Sequence, residues 1–172
     1  MRMKKHAGTF VISLIVTALL VVLDQLTKIL AVSFLKDAPK VLIPGVFELR
    51  YLENNGAAFG LLQNQHWLFY IITIVLSIAI LVVLWKMPTD KKYVWLRICG
   101  IGILAGAFGN FIDRVSHHYV VDFLYFSLID FPIFNVADIY VTCSAILAFV
   151  LILFVYKDDD LNFLSGKKEK KQ

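Results

Sequence analysis

The sequence predicts an all-α membrane protein: four transmembrane helices, a small extracytoplasmic β element and an interfacial loop. Three observations carry that expectation. Of 172 residues, 59% are apolar and only 17% charged, with a mean hydropathy of +0.75, more apolar surface than a soluble domain of this length can bury. Four apolar runs are long enough to cross a bilayer. The basic residues behind the net charge of +4 sit in short segments flanking those runs, which is how membrane proteins set orientation. Nucleic-acid binding is therefore not expected, and the whole chain, 1–172, reads as one integral membrane domain.

The first span covers about residues 9–34. Arg2, Lys4 and Lys5 precede it, as they would a cleavable signal peptide, but no small-x-small cleavage site follows. The helical pattern continues through Asp24, Gln25 and Lys28 to Leu35, so the segment reads as a retained helix. The second span, about 67–85, carries no charge and has Trp67 and Trp85 at its ends, as interfacial anchors do. A third span covers about 93–112 and a fourth about 133–156, the latter with Asn135 and Asp138 in its first turns.

Between spans 1 and 2, residues 37–66 change character. Val41-Leu42-Ile43, the turn Pro44-Gly45 and Val46 to Leu52 show partial alternation, the mark of short strands. Asn54 to Gly60 reads as a tight loop of small residues. Residues 114–132 join spans 3 and 4, and Val120 to Phe126 is too apolar for open water. An interfacial position, with the part near Tyr119–Phe126 serving as a lid, is expected there. The tail, 157–172, is charged, polar and expected to be disordered. Cys99 and Cys143 lie inside apolar runs without zinc-type spacing and read as small packing residues.

Of the 17 Lys and Arg, Arg2, Lys4, Lys5, Lys86, Lys91, Lys92, Arg97, Lys157, Lys167, Lys168, Lys170 and Lys171 share one side when the N-terminus is placed inside. Lys28, Lys36, Lys40, Arg50 and Arg114 fall on the other. Both termini are thus expected in the cytoplasm. Under that topology Asp24, Asp113, Asp122 and Asp138 converge near the outer interface.

A carboxylate at membrane depth is costly unless paired or wetted, so such residues usually mark function. Gly102, Gly106, Gly109 and Asp113 fall on one helix face; small residues there let a neighbouring helix approach and bring Asp113 to the seam. Asn110, Asp113 and Arg114 are neighbours at i, i+3 and i+4. An Asp beside an Arg stays ionised, so an Asp113–Arg114 pair is expected to organise the site rather than to react. Asp24 and Lys28, at i and i+4, read as a supporting ion pair. Asn135 suits a helix N-cap and Asp138 the first-turn dipole, yet an Asp aimed at a bundle seam is also a functional candidate. Asp122 stands alone among apolar residues. If it folds onto Asp138, repulsion makes the pair share a proton, leaving one member to activate water and the other to act as acid. His117 and His118 read as surface residues. No nucleophile–base set suggests itself, and a metal site would gather more oxygens than are found here.

Five blocks occur in order: Asp24-Gln25-Leu26-Thr27-Lys28, Asn54-Asn55-Gly56-Ala57-Ala58-Phe59, Gly109-Asn110-Phe111-Ile112-Asp113-Arg114, Val121-Asp122-Phe123 and Phe134-Asn135-Val136-Ala137-Asp138. Together they resemble the bacterial lipoprotein signal peptidases (signal peptidase II) over nearly the whole chain. The resemblance implies an aspartic endopeptidase of the bacterial cytoplasmic membrane with Asp122 and Asp138 as the catalytic pair. It implies that Asn54, Gly56, Asn110, Asp113, Arg114 and Asn135 line or brace the site, with Asp24 and Lys28 in support. It further implies a diacylglyceryl-modified prolipoprotein as substrate, cleavage on the N-terminal side of the lipidated cysteine, and an extracytoplasmic β cradle at residues 37–66. No cofactor or metal is expected; membrane lipids are the other partners, and a monomer is expected. Ile139-Tyr140 after Asp138, and a short stretch from Asp122 to Phe134, depart from the family pattern. A proton- or cation-coupled transporter would need polar residues continuing inward, and spans 2 and 4 offer almost none. A non-catalytic scaffold would tolerate Asp-to-Asn changes.

Overall fold

The computed structural model describes residues 2–56 and 66–165. Along them run α1 (Arg2–Leu35), β1 (Lys40–Ile43), β2 (Phe47–Asn54), α2 (His66–Lys86), α3 (Val94–His117), β3 (Val120–Tyr125), α4 (Val136–Phe154) and α5 (Asn162–Ser165). The expected small-residue loop lies partly outside the described residues, at 57–60.

Four of these helices are long and apolar enough to cross a membrane. Their outward faces, with Phe34, Val75 and Phe149 among the exposed residues, suit lipid, since only a helix can satisfy its own backbone in hydrocarbon. Helix α3 is the centre of the bundle: 44% of its most apolar stretch is buried, against 11% for each of the others. Its small-residue face explains why. A Cβ at Gly106 would run into the Ala137 carbonyl of α4, and one at Gly109 would lie 2.5 Å from Asp24 Oδ2 of α1. Both helices can approach α3 only because these positions carry no side chain.

The opposite end of the bundle is closed by Arg97 of α3, whose guanidinium donates to the Leu84, Met87 and Pro88 carbonyls at 3.3, 3.1 and 3.0 Å. These carbonyls lie in the last turn of α2 and just beyond its end, where backbone acceptors lack helical partners. The start of the tail is ordered, contrary to expectation: Tyr156 donates to the Lys92 carbonyl at 2.6 Å and Tyr93 to the Asp160 carbonyl at 2.9 Å. Phe163 meets the edge of the Tyr93 ring. Two tyrosines and a phenylalanine give this segment an anchor that its charge pattern hides.

The β element is a three-stranded antiparallel sheet in the order β1-β2-β3. Gly45, with φ +70, makes the turn between β1 and β2, a conformation glycine adopts without steric cost. The third strand differs from the expectation of an interfacial loop at Val120 to Phe126, since Val120–Tyr125 is paired as a strand. Leu52 pairs with Asp122 and Asn54 with Val120. Val121 and Phe123 bury themselves against Ala31 and Leu35 of α1. A β-branched, aromatic run beside a free sheet edge gains backbone hydrogen bonds that an interfacial coil would lack. The strand is then fastened to the approach of α4, since Phe123 and Leu124 both donate to the Phe134 carbonyl, at 3.0 and 2.8 Å, and Phe134 donates back to Leu124 at 3.0 Å. Sheet, α1, the end of α3 and the start of α4 therefore meet at one end of the bundle.

Candidate active site

Helix α4 begins at Asn135, whose side chain accepts from the Asp138 N–H at 3.0 Å, while Asp138 Oδ2 accepts from the Asn135 N–H at 3.1 Å. This is a reciprocal capping box, and it fixes the Asp138 carboxylate in the first turn. Asn110 of α3 donates its Nδ2 to Asp138 Oδ1 at 2.8 Å, so both carboxylate oxygens are engaged. The capping role and the functional candidacy thus coexist in one residue.

Asp122 comes from the centre of β3 and is buried. Asn135 Nδ2 donates to its Oδ1 at 2.7 Å, and Asn54 Nδ2 of β2 donates to its Oδ2 at 2.8 Å. Asn54 reaches it because it lies two residues from Leu52, the partner of Asp122, on the same sheet face. Asn54 also accepts the Gly56 N–H at 3.0 Å, an Asx turn that orients its amide. One side chain, Asn135, therefore holds the Asp138 N–H with its oxygen and the Asp122 carboxylate with its nitrogen.

Asp122 and Asp138 line one cavity of about 280 Å³, together with Asn54, Asn110, Arg114 and Thr142. The remainder of the wall, Val120 and Phe131 to Phe134, is mostly apolar. Burial pushes the Asp122 carboxyl up to about 7, and the Asp138 charge adds to the rise; hydrogen bonds from Asn54 and Asn135 and the Lys28 charge oppose it. A carboxyl so placed holds a proton near neutrality beside a second carboxyl group whose two oxygens both accept hydrogen bonds, the arrangement acid–base chemistry requires.

A second polar cluster lies behind the cavity wall. Lys28 Nζ is 2.9 Å from Asp24 Oδ2, 3.0 Å from Asp113 Oδ2 and 2.8 Å from Asn110 Oδ1. Asp113 is thus paired with Lys28, not with Arg114 as expected. Adjacent residues on a helix point about 100° apart, and Asp113 faces α1. Arg114 turns to the cavity, where its guanidinium lies 4.4 Å from the Phe69 ring centre and donates to the Gly56 carbonyl at 3.4 Å. Gln25, which the sequence marks only as part of a motif, joins this cluster. Its Nε2 donates to Asp113 Oδ1 at 2.8 Å and to the Gly109 carbonyl at 3.1 Å. Its position three residues before Lys28 on the same face was the available signal. Thr142, one turn beyond Asp138 on α4, adds a hydroxyl to the cavity wall. His117 and His118 are exposed.

Among the described residues no cluster of His, Cys, Asp or Glu has the arrangement of a metal site. The arrangement supports hydrolysis by a carboxyl pair sharing a proton, with amide groups fixing both members.

The profile of the family described as Signal peptidase (SPase) II matches residues 16–154. Lipoprotein signal peptidases of Streptococcus pyogenes serotype M5 (strain Manfredo) and serotype M18 (strain MGAS8232) are each 43% identical over 161 residues, covering 92% of this chain and 98% of theirs. A solved bacterial membrane enzyme at 2.3 Å resolution superposes with TM-score 0.72 at 34% identity, covering 93% of both chains. A second, at 1.9 Å, gives the same TM-score and identity over 84% of this chain and 94% of the other.

Proposed function

Because the chain belongs to the signal peptidase II family of aspartic peptidases, we propose that Asp122 and Asp138 together activate the water with which it cleaves prolipoproteins. Removal of signal peptides from prolipoproteins is the family's activity, and the chain is a membrane-embedded aspartic endopeptidase. The single observation that carries the pairing is that both carboxylates line one cavity and both accept from Asn135, Asp122 from its side-chain amide and Asp138 from its backbone N–H.

Asp138, acceptor of the Asn110 and Asn135 N–H groups, takes a proton from water as the water oxygen adds to the scissile carbonyl carbon. Asp122, pushed up to about 7, gives its proton to the carbonyl oxygen. The proton on Asp138 then passes to the amide nitrogen, the C–N bond breaks, and Asp122 recovers a proton from the tetrahedral diol. The pair thus returns to its starting state, and its titration belongs to both members. Asn54 and Gly56 shape the rim, Arg114 and Asn110 the wall, and Asp24, Lys28 and Asp113 brace from behind.

The substrate is a prolipoprotein carrying a diacylglyceryl group on its lipobox cysteine, cut on the N-terminal side of that cysteine. Its lipid enters sideways between helices. The site faces the outer leaflet of the cytoplasmic membrane, with both termini in the cytoplasm and the enzyme acting as a monomer without cofactor. The charge asymmetry supports this sidedness.

Incubating the purified protein with lipidated and unlipidated precursors, followed by mass analysis, tests the reading. The lipidated precursor should be cut before the modified cysteine. Asp122→Asn and Asp138→Asn should each abolish cleavage while remaining folded and inserted. Full activity in either variant would remove the mechanism.

A further inference from the structure

We propose that Lys28 is a positioning residue: it yokes two carboxylates that each hold the backbone immediately before one of the paired aspartates, and so sets the spacing and charge of the pair. The proposal rests on the reading of Asp122 and Asp138 as catalytic.

Val121 precedes Asp122, and its N–H donates to Asp113 Oδ2 at 3.1 Å. Ala137 precedes Asp138, and its N–H donates to Asp24 Oδ1 at 2.9 Å. Each paired aspartate thus follows a backbone group pinned by a carboxylate from another helix, α3 in one case and α1 in the other. The ammonium of Lys28 joins the two pins, 2.9 Å from Asp24 and 3.0 Å from Asp113. Its third donor goes to Asn110 Oδ1, which turns the Asn110 Nδ2 toward Asp138. All three ammonium donors are therefore committed to this task.

The cation is what makes the yoke hold. Two carboxylates converging on one ammonium at membrane depth repel strongly once it is removed, because the surrounding dielectric is low. Without Lys28 they separate, and that movement shifts β3 relative to the first turn of α4. Geometric errors of about 1 Å cost on the order of a hundredfold in rate. The same cation also acts on Asp122 through space. The groups acting on Asp122 are Asp138 and Asn135 from the start of α4, Asn54 from β2, Lys28 from α1 and Arg114 from α3, with Asp113 of α3 one residue away at the Val121 N–H. His117 shares a neighbouring cavity with Lys28 and Asp113. Lys28 favours the ionised Asp122, and the carboxylate of Asp113, ion-paired to Lys28, offsets part of that positive charge.

The test measures kcat and KM against pH for the full chain acting on a lipidated precursor. Lys28→Gln should lower kcat by about a hundredfold with KM little changed, and should move the alkaline limb of kcat to higher pH. Asp113→Asn keeps an oxygen to accept the Val121 N–H but removes a negative charge, so its alkaline limb should move to lower pH. Opposite displacements from two members of one cluster are what a merely structural role would not produce. If Lys28→Gln fails to fold, Asp113→Asn decides alone. An unmoved limb in the folded variants overturns the proposal. Asp122→Asn and Asp138→Asn run alongside: activity in either refutes the catalytic pair itself, whereas inactivity there with unmoved limbs refutes the yoke alone.

Discussion

Replacing Asn135 separates what it does for the helix from what it does for the chemistry. Its oxygen caps α4 through the Asp138 N–H at 3.0 Å, and its nitrogen holds Asp122 Oδ1 at 2.7 Å. Alanine removes both. Loss of an N-cap costs about 1 kcal/mol, and loss of a hydrogen bond to a charged group about 1.5–3 kcal/mol. Serine restores the cap alone, so Asn135→Ser should be more stable than Asn135→Ala by about 1 kcal/mol. Both lose the donor to Asp122, one of the bonds that restrains its rise to about 7. Since one pH unit corresponds to about 1.4 kcal/mol, the alkaline limb of kcat should move upward by about one pH unit in both variants. Thermal unfolding in detergent and cleavage of a lipidated precursor across pH give the two readouts. A serine variant with the wild-type pH profile would refute the claim that this amide tunes Asp122; equal stability of the two variants would refute the cap.

Gly109→Ala places a methyl group 2.5 Å from Asp24 Oδ2 and 3.2 Å from the Ala137 Cβ. Overpacking of this kind costs about 1–3 kcal/mol, so the unfolding temperature should fall, and an unchanged one would show that the α1–α3 seam has slack. The Asp122 carboxyl rises from 3.8 to about 7 on folding, so the folded state binds more protons than the unfolded state between those values. Stability contributed by Asp122 is therefore full below about pH 4 and is lost as pH rises through 7, by at most on the order of 4 kcal/mol. Unfolding temperatures should decline from pH 5 to 8 in the wild type and be flatter in Asp122→Asn; parallel curves would contradict the buried carboxyl.

Much of the bundle is legible in the chain because it depends on local pattern. Apolar runs long enough to cross hydrocarbon, tryptophans at their ends and a charge imbalance between loops are properties of contiguous residues, and the four apolar helices follow from them. The glycine face of α3 and the cap at Asn135 are equally local, one a matter of helical period and the other of a side chain and its own third neighbour. The pairing of Asp24 with Lys28 needed only the helical repeat.

Tertiary structure decided the rest. Val120 to Tyr125 becomes a strand only because β2 offers an edge and α1 an apolar seat, neither of which its own sequence contains. Asp113 chooses Lys28 over its neighbour Arg114 because the close approach at Gly109 brings α1 within reach. That Asn135 touches Asp122, that Asn54 crosses from another strand and that a lysine joins two pins all depend on which surfaces meet. Hydrophobic periodicity is written along the chain, but partners for buried charges are chosen in three dimensions, where an unpaired one is too costly to leave.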